Sequence, residues 1–424
     1  MKLWSGPLAG LAVAAAAASA AAQTPPAPVP DAPPVEQLVE RALARAPSLA
    51  AQRARLESVT LSVRAADALP DPMVELEYRA GGFPRYTIGS DPGSMLGASI
   101  RQDLLSKGRR TARRETAVAG ITLGRAELDA RMATIAAAVR ERYARLYLVD
   151  READTLADAR QLLRLLEATA TARYAAGDAD QASVLRVQLE QSRLGERMSD
   201  LASERLIVVA EMNRLLDDET GAPIGRVRAL PAADESVAGT QGAAISAALA
   251  SAPELIVKRA EVEVAGNRVN EARQELGRAW SVGGGLFWQG GLDRMAVFNV
   301  GIELPFWKDR KQKPLIAAAE RDLDALRADE ADAAAAVRGE VTRLLTIART
   351  GAEQIERYRS AIMPQSTAAL DATRSSYLAG RGDFVAVLDE FRRWIDVRIG
   401  LAQRETDRYV ALVQLAALTG PTGT

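Results

Sequence analysis

Two hydrophobic periods run along the chain, and each occurs in both halves. Val74, Leu76 and Tyr78 alternate with Glu75 and Glu77, and Leu96, Ala98 and Ile100 alternate with Gly97, Ser99, Arg101 and Asp103. A two-residue period with one apolar and one polar face predicts strands over about 72–79 and 95–104. In the second half Val282, Leu286 and Trp288 alternate with glycines, and Phe298, Val300, Ile302 and Leu304 with Asn299, Gly301 and Glu303. These predict strands over about 279–288 and 296–306. Elsewhere the period is helical. Ser106 to Ala176 keeps it for about 70 residues, roughly 105 Å of helix, and Lys311 to Ala379 is as long. Shorter helices are expected over 35–46, 47–69, 181–216, 240–276 and 384–416. Those over 181–216 and 240–276 would match a long helix if stacked end to end. Phe384, Leu388, Phe391, Ile395, Ile399, Tyr409 and Val413 form a coiled-coil-like seam. Pro364 is expected to kink or split the second long helix.

The turns tie the halves together. Tyr174–Leu185 reads YAAGDADQASVL and Tyr377–Leu388 reads YLAGRGDFVAVL. Gly177 and Gly380 suit the left-handed residue that ends a helix, and Asp180 and Asp383 suit the cap of the next one. Ala46-Pro47 and Ala252-Pro253 open matching helices, and Ile100 and Tyr174 correspond to Ile302 and Tyr377. A unit of about 200 residues is too long for a solenoid repeat, so the chain reads as an internal duplication. The expected divisions are an export signal over 1–22, a Pro-rich segment over 23–34, a first repeat over 35–216, a linker over 217–239, a second repeat over 240–419 and a tail over 420–424.

Composition narrows the class. Of 424 residues, 48% are hydrophobic but only 4% aromatic, a profile of packed long helices rather than several globular cores. The net charge of −1 gives no support for nucleic acid binding. Lys2, the apolar run Leu8–Ala18 and the small residues Ala18-Ser19-Ala20 or Ala20-Ala21-Ala22 form an export signal. The apolar run is too short for a membrane anchor. With no cysteine and no histidine, only carboxylates and methionines remain as metal ligands, so neither a disulfide framework nor a transition-metal site is expected. In an exported chain, strands apolar on one face and charged on the other fit an outer-membrane barrel; a small soluble sheet packed on a helix fits the alternation too. Four strands cannot close a barrel, which starts at about eight, so membrane-spanning strands would be pooled between chains, about twelve from three.

Tyr377-x-Ala-Gly380 followed by Val387-Leu388-Asp389, the strand exit Ile302-x-Leu304-Pro305-Phe306-Trp307, and Pro364 ahead of the second hairpin resemble the TolC family of outer-membrane efflux proteins. The strand exit and the Pro-containing helix are similar to the CzcC-like heavy-metal branch. The resemblance spans about residues 35–420 and implies a mainly α fold with a small β part. Four strands per chain would contribute to a trimeric 12-stranded outer-membrane β-barrel, continued by a coiled-coil-like helical tunnel in the periplasm of a Gram-negative bacterium. It implies a homotrimer set in outer-membrane lipid, docked on a periplasmic adaptor and an inner-membrane pump, expected to be of the RND type, with no cofactor. By position, the adaptor-contact tips are Gly177, Asp178, Asp180, Gly380, Arg381 and Asp383. The family type member carries two aspartates three apart after the second tip. Asp389 matches the later one, Ala386 replaces the earlier, and Arg186 stands at the Asp389 position of the first copy. Rings of Arg186 and Asp389 would form a tunnel constriction, as a closing ion-pair set or a charge filter.

Glu75, Glu77, Arg101, Asp103 and Glu303 are expected to face the barrel lumen. Lys308, Arg310, Lys311 and Lys313 would form a solvated collar where the last strand returns to the periplasm. No nucleophile–base set, phosphate loop or metal cluster is recognisable in the sequence, which argues against an enzyme. The competing reading is a soluble periplasmic adaptor or structural protein with coiled-coil-like helices and no pore. Detergent dependence separates the two.

Overall fold

A computed structural model describes residues 30–420 apart from 82, 83, 86, 92, 233 and 291–293. The expected export signal, most of the Pro-rich segment and nearly all of the tail lie outside the described residues. Helices α1 (Val35–Arg45) and α2 (Pro47–Ala66) lead to strands β1 (Met73–Arg79) and β2 (Met95–Leu104). Helix α3 (Lys107–Ala175) and α4 (Gln181–Leu216) follow. The second half repeats this order as α5 (Gln241–Ser251), α6 (Pro253–Gln274), β3 (Ala279–Trp288), β4 (Met295–Glu303), α7 (Gln312–Arg357), α8 (Met363–Leu378) and α9 (Phe384–Thr419).

The four strands form one antiparallel sheet in the order β1-β2-β3-β4. Val74 pairs with Ile100, Ile100 with Gly284 and Gly284 with Phe298, so the halves join at β2 and β3 in a register that keeps the alternating apolar positions of all four strands on one face. β4 stops at Glu303 rather than near 306. Pro305 has no N–H for a ladder, and the Phe306 N–H turns back to the Leu304 carbonyl at 2.8 Å.

Helix α3 spans 69 residues, about 104 Å. Near the sheet it packs beside α2 and α6, and further down beside α4 and α9. Three buried clusters follow its length. The first joins α1, the middle of α3 and the end of α4, and the third joins α5, α7 and the end of α9. The second surrounds the lower half. There Leu156, Leu163 and Leu166 of α3 meet Val187, Leu194 and Leu201 of α4 and Phe384, Leu388, Phe391 and Ile395 of α9. The expected seam on α9 follows this stripe from Phe384 to Ile399; beyond it Val413 is only half-buried, and Ala411, Leu412 and Leu415 enter the third cluster instead.

Two expectations about the helices change. α1 touches both α4 and α2, and α5 touches both α9 and α6, so α4 continues toward α2 rather than toward α6. The pattern over 240–276 also breaks, because Ala252 precedes Pro253 and is held out of the helical region at ψ 118–121° like its counterpart Ala46. The second long helix is interrupted just ahead of Pro364, as expected: a π-turn, Tyr358–Ile362, separates α7 from α8.

Buried polar side chains fasten the joints. Asp150 of α3 is 2% exposed and accepts from Arg205 Nε of α4 at 2.8 Å and from the Val227 N–H of the linker at 2.8 Å. At the sheet end of the long helices Arg109 donates to the carbonyls of Gln274, Glu275 and Gly277 at 3.2, 3.0 and 2.8 Å, capping α6. Arg110 caps α2 through the Asp67 carbonyl at 2.7 Å.

Candidate functional site: hairpin tips and barrel-forming sheet

Both hairpins close in the same way. Gly177 and Gly380 have φ of +79° and +75°, where a side chain would be strained. The next N–H, from Asp178 or Arg381, reaches back to the carbonyl of Arg173 or Ser376 at 2.9 and 3.0 Å, as in a Schellman closure. Asp180 then accepts from the Ser183 N–H at 3.1 Å and its hydroxyl at 2.8 Å, and Asp383 from the Val385 N–H at 3.2 Å. The Ser183 hydroxyl and N–H hold the Asp180 carboxyl below its ordinary range.

The tips lie side by side in one chain, joined by a residue the sequence did not single out. Arg173, on the last turn of α3, donates to the Tyr377 carbonyl at 2.5 Å and to the Asp178 carbonyl at 3.2 Å. Its guanidinium also lies over the Tyr377 ring, 4.6 Å from the centroid. Tyr377 is 3% exposed and packs on Phe384 with ring centroids 5.1 Å apart, whereas its counterpart Tyr174 is 48% exposed. Burial pushes the Tyr377 phenol upward. The duplication is therefore symmetric in backbone and asymmetric in packing. Asp178, Arg381, Asp180 and Asp383 are exposed at the tips.

Arg186 and Asp389, both exposed, make no ion pair with each other within the chain among the described residues. Asp389 lies 3.6 Å from Arg392 one turn on. Arg392 in turn donates to Glu190 at 2.5 Å, and this pair is what ties α9 to α4 just inside the tips. The spacing of Glu190 from Arg186 places it one turn along α4, but only the packing selects its partner.

On the sheet, the alternation sorts the residues as expected. One face carries Val74, Leu76, Tyr78, Leu96, Ile100, Trp280, Val282, Leu286, Trp288, Phe298, Val300 and Ile302, all exposed, with Leu76 at 83% and Phe298 at 88%. Trp280 and Trp288 mark its two ends, about 26 Å apart along β3, which is about 20 Å of height at the 35–45° tilt of barrel strands. The band between aromatic girdles in a membrane barrel is about 25 Å tall. Glu75, Glu77, Arg101, Asp103 and Glu303 occupy the opposite face, where Glu75 meets Arg101 at 3.3 Å and Glu77 meets Arg79 at 2.7 Å. That face also carries Met73, Met95, Val297 and Phe287, of which Phe287 is the largest. Phe287 is 7% exposed and lies across Gly97 and Gly285, and a Cβ on Gly97 would fall 2.3 Å from its ring. The Gly283-Gly284-Gly285 run was the sequence signal for such a close approach.

The outer membrane efflux protein model matches residues 38–216 and 244–421. The chain belongs to that family. Outer membrane efflux proteins are channels of the Gram-negative outer membrane rather than enzymes, and they work with adaptor and inner-membrane pump partners. No curated protein matches the sequence. The fold is similar to that of VceC from Vibrio cholerae, with a TM-score of 0.77 and 17% identity over 91% of this chain and 96% of that one. It is also similar to the Campylobacter jejuni CmeC outer membrane channel, with a TM-score of 0.77 and 11% identity over 91% and 85%. The open state of the Neisseria gonorrhoeae MtrE channel scores 0.70 at 18% identity, covering 92% and 90%. No helix among the described residues is long and apolar enough to cross a membrane.

Proposed function

We propose that three copies of the chain form the outer-membrane duct of a tripartite efflux assembly. Their sheets pool into a 12-stranded barrel, and their helices form a periplasmic tunnel that passively conducts cargo delivered by the partner pump, taken to be of the RND type. The observation that carries this reading is the sheet. Its apolar face is exposed and covers most of the height of a membrane band, and β1 and β4 each have an unpaired edge that lipid could not satisfy.

The six tip residues form the adaptor contact, held at fixed separation by Arg173. Arg186 and Asp389, without each other within a chain, are free to meet across neighbouring chains as the constriction. Glu75, Glu77, Arg101, Asp103 and Glu303 line the lumen and set a mild ion preference. Lys308, Arg310, Lys311 and Lys313 anchor the periplasmic rim.

The test is oligomer mass in detergent together with conductance in a planar bilayer. A trimer with discrete conductance, altered by Asp389→Ala or Arg186→Ala, is the expected result. A monomer that needs no detergent and is silent in the bilayer would sink the duct and leave the soluble adaptor.

A further inference from the structure

The turn that joins β4 to α7 differs from its counterpart in the first copy. After β2 the chain reads Leu104-Leu105-Ser106-Lys107, and the arginines that follow are engaged within the fold, Arg109 by the carbonyls at the end of α6 and Arg110 by the Asp67 carbonyl. After β4 it reads Leu304-Pro305-Phe306-Trp307-Lys308-Asp309-Arg310-Lys311-Gln312-Lys313. Phe306 is 79% exposed and Trp307 71%, and all four basic side chains of the run are exposed. The backbone beneath them is nevertheless tightly folded. The N–H groups of Arg310 and Lys311 reach the Trp307 carbonyl at 2.9 and 3.0 Å, and that of Lys313 reaches the Lys308 carbonyl at 2.8 Å. Lys313 pairs with Asp309 at 2.6 Å, whereas Lys308, Arg310 and Lys311 have no ion pair among the described residues. Arginine supplies most of the 54 basic residues, yet three of the six lysines in the chain fall in this one turn.

We propose that this turn is a docking surface for anionic phospholipid, in the leaflet on the helix side of the barrel. Phe306 and Trp307 enter the lipid at headgroup level, and Lys308, Arg310 and Lys311 hold the headgroups. The inference rests on the reading of the sheet as part of an outer-membrane barrel. Trp280 pairs with Ile302 on the apolar face, at the end of the sheet nearest the long helices. Phe306 and Trp307 follow just beyond that row, where the hydrocarbon would give way to headgroups. Aromatic rings favour that level of a bilayer, and lysine lays its apolar stem along the lipid while its ammonium stays among the headgroups. An apolar insertion joined to a basic patch is the two-part signal that holds a surface on anionic lipid. Within the turn four basic side chains stand against the single carboxylate of Asp309, so charge selects a headgroup of net negative charge over a zwitterionic one. The first copy has neither the rings nor the free charges at this place, so the surface occurs once per chain, beside the β4 edge.

The test reconstitutes the full-length protein in vesicles of phosphatidylcholine and phosphatidylglycerol at about nine to one, and counts by native mass spectrometry the lipids that stay on the protein. Phosphatidylglycerol should be enriched about tenfold over its share of the bilayer at low salt, and about 0.5 M sodium chloride should remove most of that enrichment by screening. Lys308→Gln, Lys311→Gln and Lys313→Gln together should abolish most of it as well. Arg321→Gln, Arg327→Gln and Arg338→Gln, which remove the same charge from exposed positions further along α7, should leave it intact. Phe306→Ser with Trp307→Ser should lower it severalfold. Native enrichment below about twofold, or enrichment that the lysine variant retains, overturns the lipid site. Enrichment that appears only in Asp71→Asn would assign the basic side chains to a neighbouring copy and overturns it too. If the lysine variant does not assemble, the salt dependence of the native protein decides. Conductance of the native protein in the same lipids separates the two readings. Discrete conductance without enrichment overturns the lipid site and leaves the duct, and failure to enter any bilayer overturns both.

Discussion

Arg109 offers the most direct test of how the sheet is fixed to the tunnel. Its side chain is 9% exposed, it satisfies three carbonyls at the end of α6, and it lies 3.4 Å from the Glu275 carboxylate. Hydrogen bonds from a charged donor contribute about 1.5–3 kcal/mol each. Water can reach some of these carbonyls once the side chain is gone, so the net cost of Arg109→Ala is about 3–4 kcal/mol rather than the full sum. The loss should be local, because Arg109 is the bridge and the rest of α6 is held by Leu255, Ala260 and Val264. Hydrogen exchange of the Glu275, Leu276 and Gly277 amides in detergent-solubilised protein reads it directly. At about 1.4 kcal/mol per decade, protection there should fall between a hundred- and a thousandfold. Arg109→Lys keeps the charge but not the fork and should recover less than half of the loss. Arg110→Ala, with one bond to Asp67, should cost about 1 kcal/mol and affect only the end of α2. A loss of less than about threefold for Arg109→Ala would refute the capping account.

Gly177→Ala or Gly380→Ala should each cost about 1 kcal/mol at a left-handed position and fray that tip selectively, seen as faster exchange of the first turn of α4 or α9. Phe298→Arg, in the middle of the exposed apolar face, should cost about 2–4 kcal/mol per chain in the bilayer and reduce membrane-inserted protein, while Glu75→Gln should leave insertion unchanged; equal insertion of the two would count against the lipid-facing assignment. The Asp180 carboxyl is held lower when folded than when unfolded, so its contribution is present above the unfolded value of about 3.9 and fades as pH falls through the folded one. First-tip exchange should therefore quicken below about pH 4, and Asp180→Asn should flatten that dependence.

Much of this architecture was legible because it is written in local spacing. The alternation of Val74, Leu76 and Tyr78 fixes a face without knowledge of β2, and Gly177 and Asp180 declare a turn from within a few residues. What was not legible depends on long-range partners. Arg109 looks like any helical arginine until residues 274–277 arrive beside it, and Arg173 until Tyr377 does. Arg186 and Asp389 stood out through the repeat, yet Glu190 and Arg392 make the contact, since the relative rotation of α4 and α9 is set by their buried stripes. Pro364 announced the interruption of the second long helix because a proline's effect on a helix is local, but nothing local showed that it would take the form of a π-turn over Tyr358–Ile362.

The order of the sheet has a further consequence. In the proposed ring the β1 edge of each chain would pair with the β4 edge of the next, and each edge presents both N–H and C=O groups. An incomplete ring of that kind would leave one β1 edge and one β4 edge exposed. In lipid every such unpaired group costs several kcal/mol. The membrane itself then acts as the inspector of stoichiometry, rejecting partial rings that would be tolerated in water. A subunit with one damaged edge would be more harmful than an absent one, because it occupies a place in the ring and prevents its closure.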